Sequence, residues 1–198
     1  MIAEPISPPI ENPRRWRWTY SDLLRLDEMG FFADHRIELI DGEIVECAPM
    51  SPPRACVLST LCADLHRIFD GGLIVRLRSP FTMEHNNLLQ PDVLVVRGMK
   101  GEFKDRHPST AELIIEVSDS TLAQDRTTKA SLYARAGVPE YWIVNLVDEQ
   151  IEVLRRPQAS PSARFGFAYM ETVIYRGDDK ITPLSALEKQ IAASDILP

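Results

Sequence analysis

Two short apolar runs, each carrying one carboxylate, constrain the fold of this chain more than any other feature of its sequence. They read DVLVV from Asp92 to Val96 and LIIEV from Leu113 to Val117. Nearly continuous apolar runs are typical of strands that are covered on both faces, and therefore of the centre of a sheet. A buried, unpaired carboxylate costs on the order of several kcal/mol, so Asp92 and Glu116 each need a metal ion, a basic side chain or a proton.

The residues that follow predict how this sheet is built. The sequence favours a helix from Arg126 to Ala136, because Gly137 ends it and Pro139 comes just beyond. The strand Glu140–Val144 follows. A strand, a helix and a strand within about thirty residues form a crossover unit, which joins parallel strands. We therefore predict an α/β fold with a mixed central β-sheet flanked by helices.

Local signals predict the remaining elements. The pair Asp41-Gly42 between two β-rich stretches indicates a hairpin, because both turn positions need a positive φ. The other predicted elements are a short helix capped by Thr19 or Ser21 and ending near Met29, a helix from Ala55 to Phe69, strands at 73–77 and 151–156, a loop and a short hairpin after Pro157, and a helix within 184–198.

A lysine completes the set of unusual charges. On the predicted helix, Lys129 shares one stripe with Leu132 and Tyr133, which should face the core, so its ammonium group should point inward. Two strand carboxylates beside an inward lysine suit phosphodiester hydrolysis, since Mg²⁺ or Mn²⁺ binds carboxylate oxygens and activates water. The lysine can orient that water and stabilise the developing charge. The alternative is a buried structural ion pair between Glu116 and Lys129.

Composition narrows the class of protein. The chain has 198 residues, which suits one domain, predicted for 15–198 after a disordered leader at 1–14. A net charge of −7 argues against a general nucleic-acid coat protein, but a carboxylate site is itself acidic. The sparse cysteines lack metal-binding spacing, and neither an export signal nor a membrane-spanning run is present, so we predict a cytoplasmic protein without structural zinc.

The segments around these residues resemble a known family. PDVLVV, LIIEVSDST, DRTTK and YARAGVPEYWIV occur in this order, after an ELIDGE hairpin that begins at Glu38. Together they resemble the Uma2 family of restriction-endonuclease-like proteins, also called DUF820, within the PD-(D/E)XK nuclease superfamily. The resemblance covers roughly Trp18 to Arg156.

The resemblance implies a restriction-endonuclease-like core and an endonuclease that cleaves DNA with Mg²⁺ or Mn²⁺. Asp92 corresponds to the aspartate of the PD motif, and Glu116 to the acidic residue of the next strand. Both would bind the metal, together with the backbone carbonyl of Val117. Glu38 corresponds to an additional acidic residue that assists the site.

This sequence departs from the standard motif at two places. The lysine usually found two residues after the second acid is replaced by Ser118, and the resemblance supplies Lys129 from the next helix instead. Asp125 is expected first to cap that helix and second, through its DxxxK spacing, to position Lys129. Relatives often carry a histidine where this chain has Arg54.

The partners follow from the same reasoning. We expect nucleic acid, most simply DNA, and a homodimer, since two sites allow two strands to be cut and C₂ dimers are the commonest oligomers. Two segments are candidates for contact with nucleic acid. The RRWRWTY segment either contacts phosphates and bases or is an arm packed on the core. The loop with Lys100, Lys104 and Arg106 either contacts nucleic acid or is simply solvated. A non-catalytic nucleic-acid- or protein-binding module on a nuclease-like scaffold is the alternative function.

Overall fold

The computed structural model describes residues 15–69, 71–84, 86–99 and 101–198. The predicted leader at 1–14 lies outside these residues, and the assignment of 15–198 to one domain stays a prediction. None of the helices within the described ranges has the length and apolar character that crossing a bilayer demands.

The elements agree with the sequence where local signals are strong. Thr19 caps the first helix through a capping box with Asp22, and Asp41 and Gly42 both adopt positive φ in the predicted hairpin. In chain order the elements are α1 (Tyr20–Glu28), β1 (Ile37–Ile40), β2 (Glu43–Glu46), α2 (Pro52–Ile68), β3 (Leu73–Leu77), β4 (Phe81–Met83), β5 (Asn87–Leu89), β6 (Val93–Arg97), β7 (Leu113–Ser118), α3 (Leu122–Gln124), a π-helical segment (Asp125–Lys129), α4 (Ala130–Arg135), β8 (Glu140–Asn145), β9 (Gln150–Ala159), β10 (Phe167–Tyr175), β11 (Lys180–Ile181), β12 (Ile191–Ala192) and α5 (Ala193–Ile196).

The main sheet has the strand order β10-β9-β8-β7-β6-β3. Adjacent strands in this sheet are antiparallel except for β7 and β8, which are parallel and are joined by the predicted helical crossover. The mixed α/β architecture predicted from the sequence is therefore confirmed. The two carboxylate-bearing strands, β6 and β7, lie side by side near the middle of this sheet.

A second, four-stranded antiparallel sheet has the order β2-β1-β5-β4. The predicted hairpin supplies β1 and β2, whereas β4 and β5 were not predicted, because each has only three residues and shows no periodicity. Leu39 of β1 pairs with Leu88 of β5. This pairing carries Glu38 from the start of β1 toward the chain that leads into β6.

The C-terminal third differs most from the sequence-based expectation. The predicted loop after Pro157 is present at 160–166, beginning only there because β9 continues to Ala159. The further short hairpin predicted after this loop is wrong, since β10 pairs with β9 along its length instead. Pro157 is tolerated since β9 has passed the end of β8 there and pairs with β10 alone. The predicted C-terminal helix is reduced to Ala193–Ile196, because residues 184–190 form turns before β12.

Side-chain alternation along the central strands divides the core into two faces. On β7, Leu113, Ile115 and Val117 pack against α2, whereas Ile114 packs with Tyr133 of α4. Successive side chains of a strand point to opposite faces, so Glu116 projects to the same side as Ile114. The buried carboxylate therefore faces the crossover helix.

Candidate active site

Glu116 lies at the centre of the candidate site and is only 2% exposed. Its Oε1 accepts hydrogen bonds from Lys129 Nζ and from the hydroxyl of Tyr133, each at 2.8 Å. Burial raises the pKa of Glu116 to about 8, although the neighbouring ammonium group of Lys129 acts to lower it. The predicted partnership of Glu116 and Lys129 is thus present as a direct contact.

A π-helical segment lies where the crossover helix passes Glu116. It spans Asp125 to Lys129, and Tyr133 follows one further turn along, so the three side chains lie on one side of the helix. Short π-helical segments are rare and are often found at functional sites. Here the segment directs a carboxylate, an ammonium group and a phenol toward β7.

Asp125 does not cap the helix, and that prediction is wrong. The helix begins at Leu122, so Asp125 lies inside it, and its Oδ2 accepts hydrogen bonds from the hydroxyls of Ser118 and Thr121 at 2.6 Å each. Its Oδ1 lies 3.7 Å from Lys129 Nζ. Ser118, which stands where the standard motif has lysine, therefore helps to hold Asp125 beside the lysine that replaces it.

Asp92, just before β6, lies opposite Glu116 of the adjacent strand β7, because the antiparallel register pairs Val93 with Ile115. Its Oδ2 accepts hydrogen bonds from Arg54 Nη2 at 2.8 Å and from the backbone N–H of Val117 at 2.9 Å. Its Oδ1 is buried and has no hydrogen-bond partner among the described residues. The Arg54 contact was not predicted, because a residue 38 positions away gives no periodic signal.

Glu38 reaches the same place from the second sheet. Its Oε1 accepts a hydrogen bond from the backbone N–H of Gln90 at 2.8 Å and lies 3.6 Å from Lys129 Nζ. Gln90 also donates from Nε2 to the carbonyl of Ile37. Sequence reasoning missed this clamp, although the position of Gln90 just before the Pro-Asp pair is a signal that could have suggested it.

These side chains surround a small cavity of about 50 Å³, lined by Arg54, Gln90, Glu116 and Lys129 among others. A cavity needs on the order of 10–15 Å³ to hold one water, so this one has room for a small hydrated ligand. Cys47 also lines it, but burial raises the pKa of its thiol to about 11. A thiolate nucleophile is therefore disfavoured at neutral pH.

Acidic side chains outnumber basic ones in and beside the cavity. The basic side chains are Arg36, Arg54 and Lys129, and the acidic ones are Glu38, Glu46, Asp92, Glu116 and Asp125. In the described part of the chain no three His, Cys, Asp or Glu side chains converge into a complete ligand set. The donors present are hard oxygens, with Asp92 Oδ1 unpartnered, and Mg²⁺ or Mn²⁺ needs only one or two protein carboxylates beside its waters. The residues therefore fit such an ion.

Comparisons with known proteins identify the family and support the fold. The family model of Uma2, described as "Putative restriction endonuclease", matches residues 20–194. The chain belongs to the Uma2 family. A crystal structure described as a "putative nuclease belonging to DUF820" from Anabaena variabilis ATCC 29413 has a TM-score of 0.71 and 17% identity, and the match covers 90% of this chain and 96% of that one. No protein with a curated description matches.

The other residues considered for contact with nucleic acid form ion pairs where the structure describes them. Lys104 and Arg106 pair with acids of their own loop, and Lys100 lies outside the described residues. Arg17 of the RRWRWTY segment forms ion pairs with Asp41 and Glu43 of the hairpin, whereas Trp16 is exposed. Part of the RRWRWTY segment is therefore an arm that packs on the second sheet.

The raised pKa of Glu116 predicts a pH-dependent stability. In metal-free buffer, the free energy of unfolding of the unmodified protein should fall from about pH 5 to about pH 8, relative to a Glu116→Gln variant. In this window the folded protein keeps a proton on Glu116 and the unfolded chain does not, so unfolding releases a proton and rising pH favours it. The slope should approach about 1.4 kcal/mol per pH unit. Urea denaturation with EDTA measures it, and parallel pH profiles for the two proteins would contradict the prediction.

Proposed function

We propose that this Uma2 protein is an endonuclease that hydrolyses phosphodiester bonds in DNA with Mg²⁺ or Mn²⁺. The observation that carries the proposal is the direct contact of Lys129 with Glu116 beside Asp92, at the edge of a small polar cavity. The family description supports the reaction class. Asp92 and Glu116 would hold the metal ion together with the carbonyl of Val117, and Glu38 would assist.

Some of these side chains would hold the metal ion, and others would orient the attacking water. When bound, the metal ion supplies a Lewis acid for the phosphate and lowers the pKa of a water molecule. Lys129 and Tyr133 both donate to Oε1 of Glu116, so Oε2 is left for a cation. Lys129 also orients the attacking water and stabilises the charge that develops on the phosphate. Glu38 and Asp125 keep Lys129 in its ammonium form near that water.

Cleavage assays test this proposal. Supercoiled, linear and single-stranded DNA should be cut in Mg²⁺ or Mn²⁺ and should remain intact in EDTA. Glu116→Gln should lower the rate by roughly 10²-fold or more, since a neutral amide binds a hard cation poorly. Glu140→Gln is the matched control, because Glu140 is also a fully buried carboxylate of the main sheet but binds Arg155 instead. Equal loss in both variants would indicate a folding defect and would contradict the assigned site.

A non-catalytic nucleic-acid- or protein-binding module is the second candidate. The ion pair between Arg54 and Asp92 favours it, because a guanidinium occupies one carboxylate oxygen that a metal could use. Uncut DNA under every condition, with no metal-induced rise in melting temperature, would support this candidate.

Dimerisation and location belong to the proposal as well. We propose a homodimer, because cutting both strands of a duplex is simplest with two sites related by a two-fold axis. Sedimentation velocity at several protein concentrations measures the oligomeric state, and a monomer at all of them would overturn this part. The cytoplasmic location likewise stays a prediction.

A further inference from the structure

The ion pair between Arg54 and Asp92 is incomplete on both sides. Only Nη2 of the guanidinium donates to a carboxylate, and Nε of Arg54 is buried with no hydrogen-bond partner among the described residues. Oδ1 of Asp92 is also buried and unpartnered there. Buried polar atoms are nearly always paired, so these two atoms give the ion pair unused hydrogen-bonding capacity toward a ligand. The free carboxylate oxygen suits a cation, and the free guanidinium N–H suits an anion.

The position of Arg54 in its helix is not explained by helix stability. Arg54 stands in the first turn of α2, where Ser51 is the N-cap and no acidic residue is present. The positive end of the helix dipole disfavours a cation at this place. Arg54 is nevertheless only 8% exposed, and it lines the cavity together with Glu116 and Lys129. Its location is therefore set by what it binds in the cavity.

A phosphate satisfies the spare donors of Arg54 better than Asp92 does. A guanidinium has five N–H donors in a planar fork, which matches two oxygens of a phosphate. Asp92 presents only one oxygen, Oδ2, to the guanidinium of Arg54. That oxygen is shared, because it also accepts a hydrogen bond from the N–H of Val117. A phosphodiester in the cavity would compete for the guanidinium, and Asp92 would then have one more oxygen free for a metal ion.

We propose that Arg54 couples metal binding to phosphate binding: it neutralises Asp92 while the cavity holds no substrate, and it transfers to a phosphate of the nucleic acid when the metal ion takes Asp92. This inference rests on the proposed function of the site. It has a reciprocal consequence, because any ligand that raises the affinity for a second ligand is itself bound more tightly in the presence of that second ligand. Without metal ion or substrate, the guanidinium of Arg54 thus serves as the cation that pairs with Asp92.

Binding of Mn²⁺, followed by the electron paramagnetic resonance signal of the free ion, tests the coupling. We expect the unmodified protein to bind Mn²⁺ weakly alone and on the order of tenfold more tightly with a short single-stranded thymidine oligonucleotide. Its uncharged methylphosphonate counterpart should give no gain, since it lacks the anion that Arg54 takes. The signal of Mn²⁺ with each oligonucleotide alone is subtracted.

Two variants separate charge from shape. Arg54→Met keeps an unbranched apolar stem without the charge. It should bind Mn²⁺ on the order of tenfold more tightly than the unmodified protein without any oligonucleotide, and the oligonucleotide should add little. Arg54→Lys keeps the charge and should remain weak when tested alone. Should Arg54→Met fail to fold, the gain from the natural oligonucleotide in Arg54→Lys still tests the role of Arg54, since an ammonium group lacks the planar fork that binds two phosphate oxygens and should give a smaller gain.

The outcomes distinguish this inference from the function on which it rests. Equal Mn²⁺ affinity in the unmodified protein and in Arg54→Met, with no gain from the natural oligonucleotide, would overturn the role of Arg54 and leave the metal-dependent nuclease intact. No Mn²⁺ binding by any of the proteins under any condition would overturn both.

Discussion

Replacing Lys129 by methionine should lower the free energy of unfolding by roughly 3–5 kcal/mol and the cleavage rate by roughly 10²–10³-fold. Lys129 is 9% exposed and lies within 4 Å of three carboxylates, those of Glu38, Glu116 and Asp125. Methionine fills similar space without a charge, so three buried acids lose their shared cation. The loss of stability follows from the uncompensated charge of Glu38 and Asp125 and from the hydrogen bond that Glu116 loses. The loss of rate follows from the missing donor beside the attacking water.

Urea denaturation and cleavage of DNA measure the two effects. Lys180→Met is the matched control, because Lys180 is exposed on β11 and forms no ion pair among the described residues. This control should change stability by no more than about 0.5 kcal/mol and leave cleavage unchanged. A stability loss below about 1 kcal/mol in Lys129→Met would show that the four groups do not depend on one another as the distances imply.

Replacing Asp92 by alanine should abolish metal-induced stabilisation together with cleavage. The change removes the carboxylate with the free oxygen, and it also leaves Arg54 and the N–H of Val117 buried without their acceptor. A cation stripped of its buried partner costs roughly 3–5 kcal/mol. Thermal unfolding with and without Mg²⁺ should therefore show a lower melting temperature for Asp92→Ala and no upward shift on adding the ion.

The double variant Asp92→Ala/Arg54→Met separates the two consequences. Removing both partners of an ion pair is less damaging than removing one, so the double variant should recover part of the stability that Asp92→Ala loses. It should not recover cleavage, since the metal ligand is still missing. Cutting that survives in Asp92→Ala would point to a contaminating nuclease or to a different site and would contradict the assignment.

Local sequence signals determined the parts of this protein that depend on neighbouring residues. The Asp-Gly turn, the cap at Thr19 and the stop at Gly137 act within a few residues, and the structure confirms the elements that they delimit. The apolar runs around Asp92 and Glu116 were predicted as central strands for the same reason, because an uninterrupted apolar run can be buried only with both faces covered. The inward direction of Lys129 follows from helical periodicity.

Tertiary structure alone decided how the site is closed. Glu38 arrives from a second sheet whose strands β4 and β5 have three residues each, too few for a periodic pattern, and Arg54 arrives from a helix on the other face of the main sheet. The π-helical segment has no signature in residue spacing, although the DxxxK spacing predicted that Asp125 lies beside Lys129. Sequence reasoning could therefore identify which charges were unusual, because burial follows from local apolarity. Which of these charged side chains contact one another depends on packing between residues that are far apart in sequence. Local sequence patterns do not determine that packing.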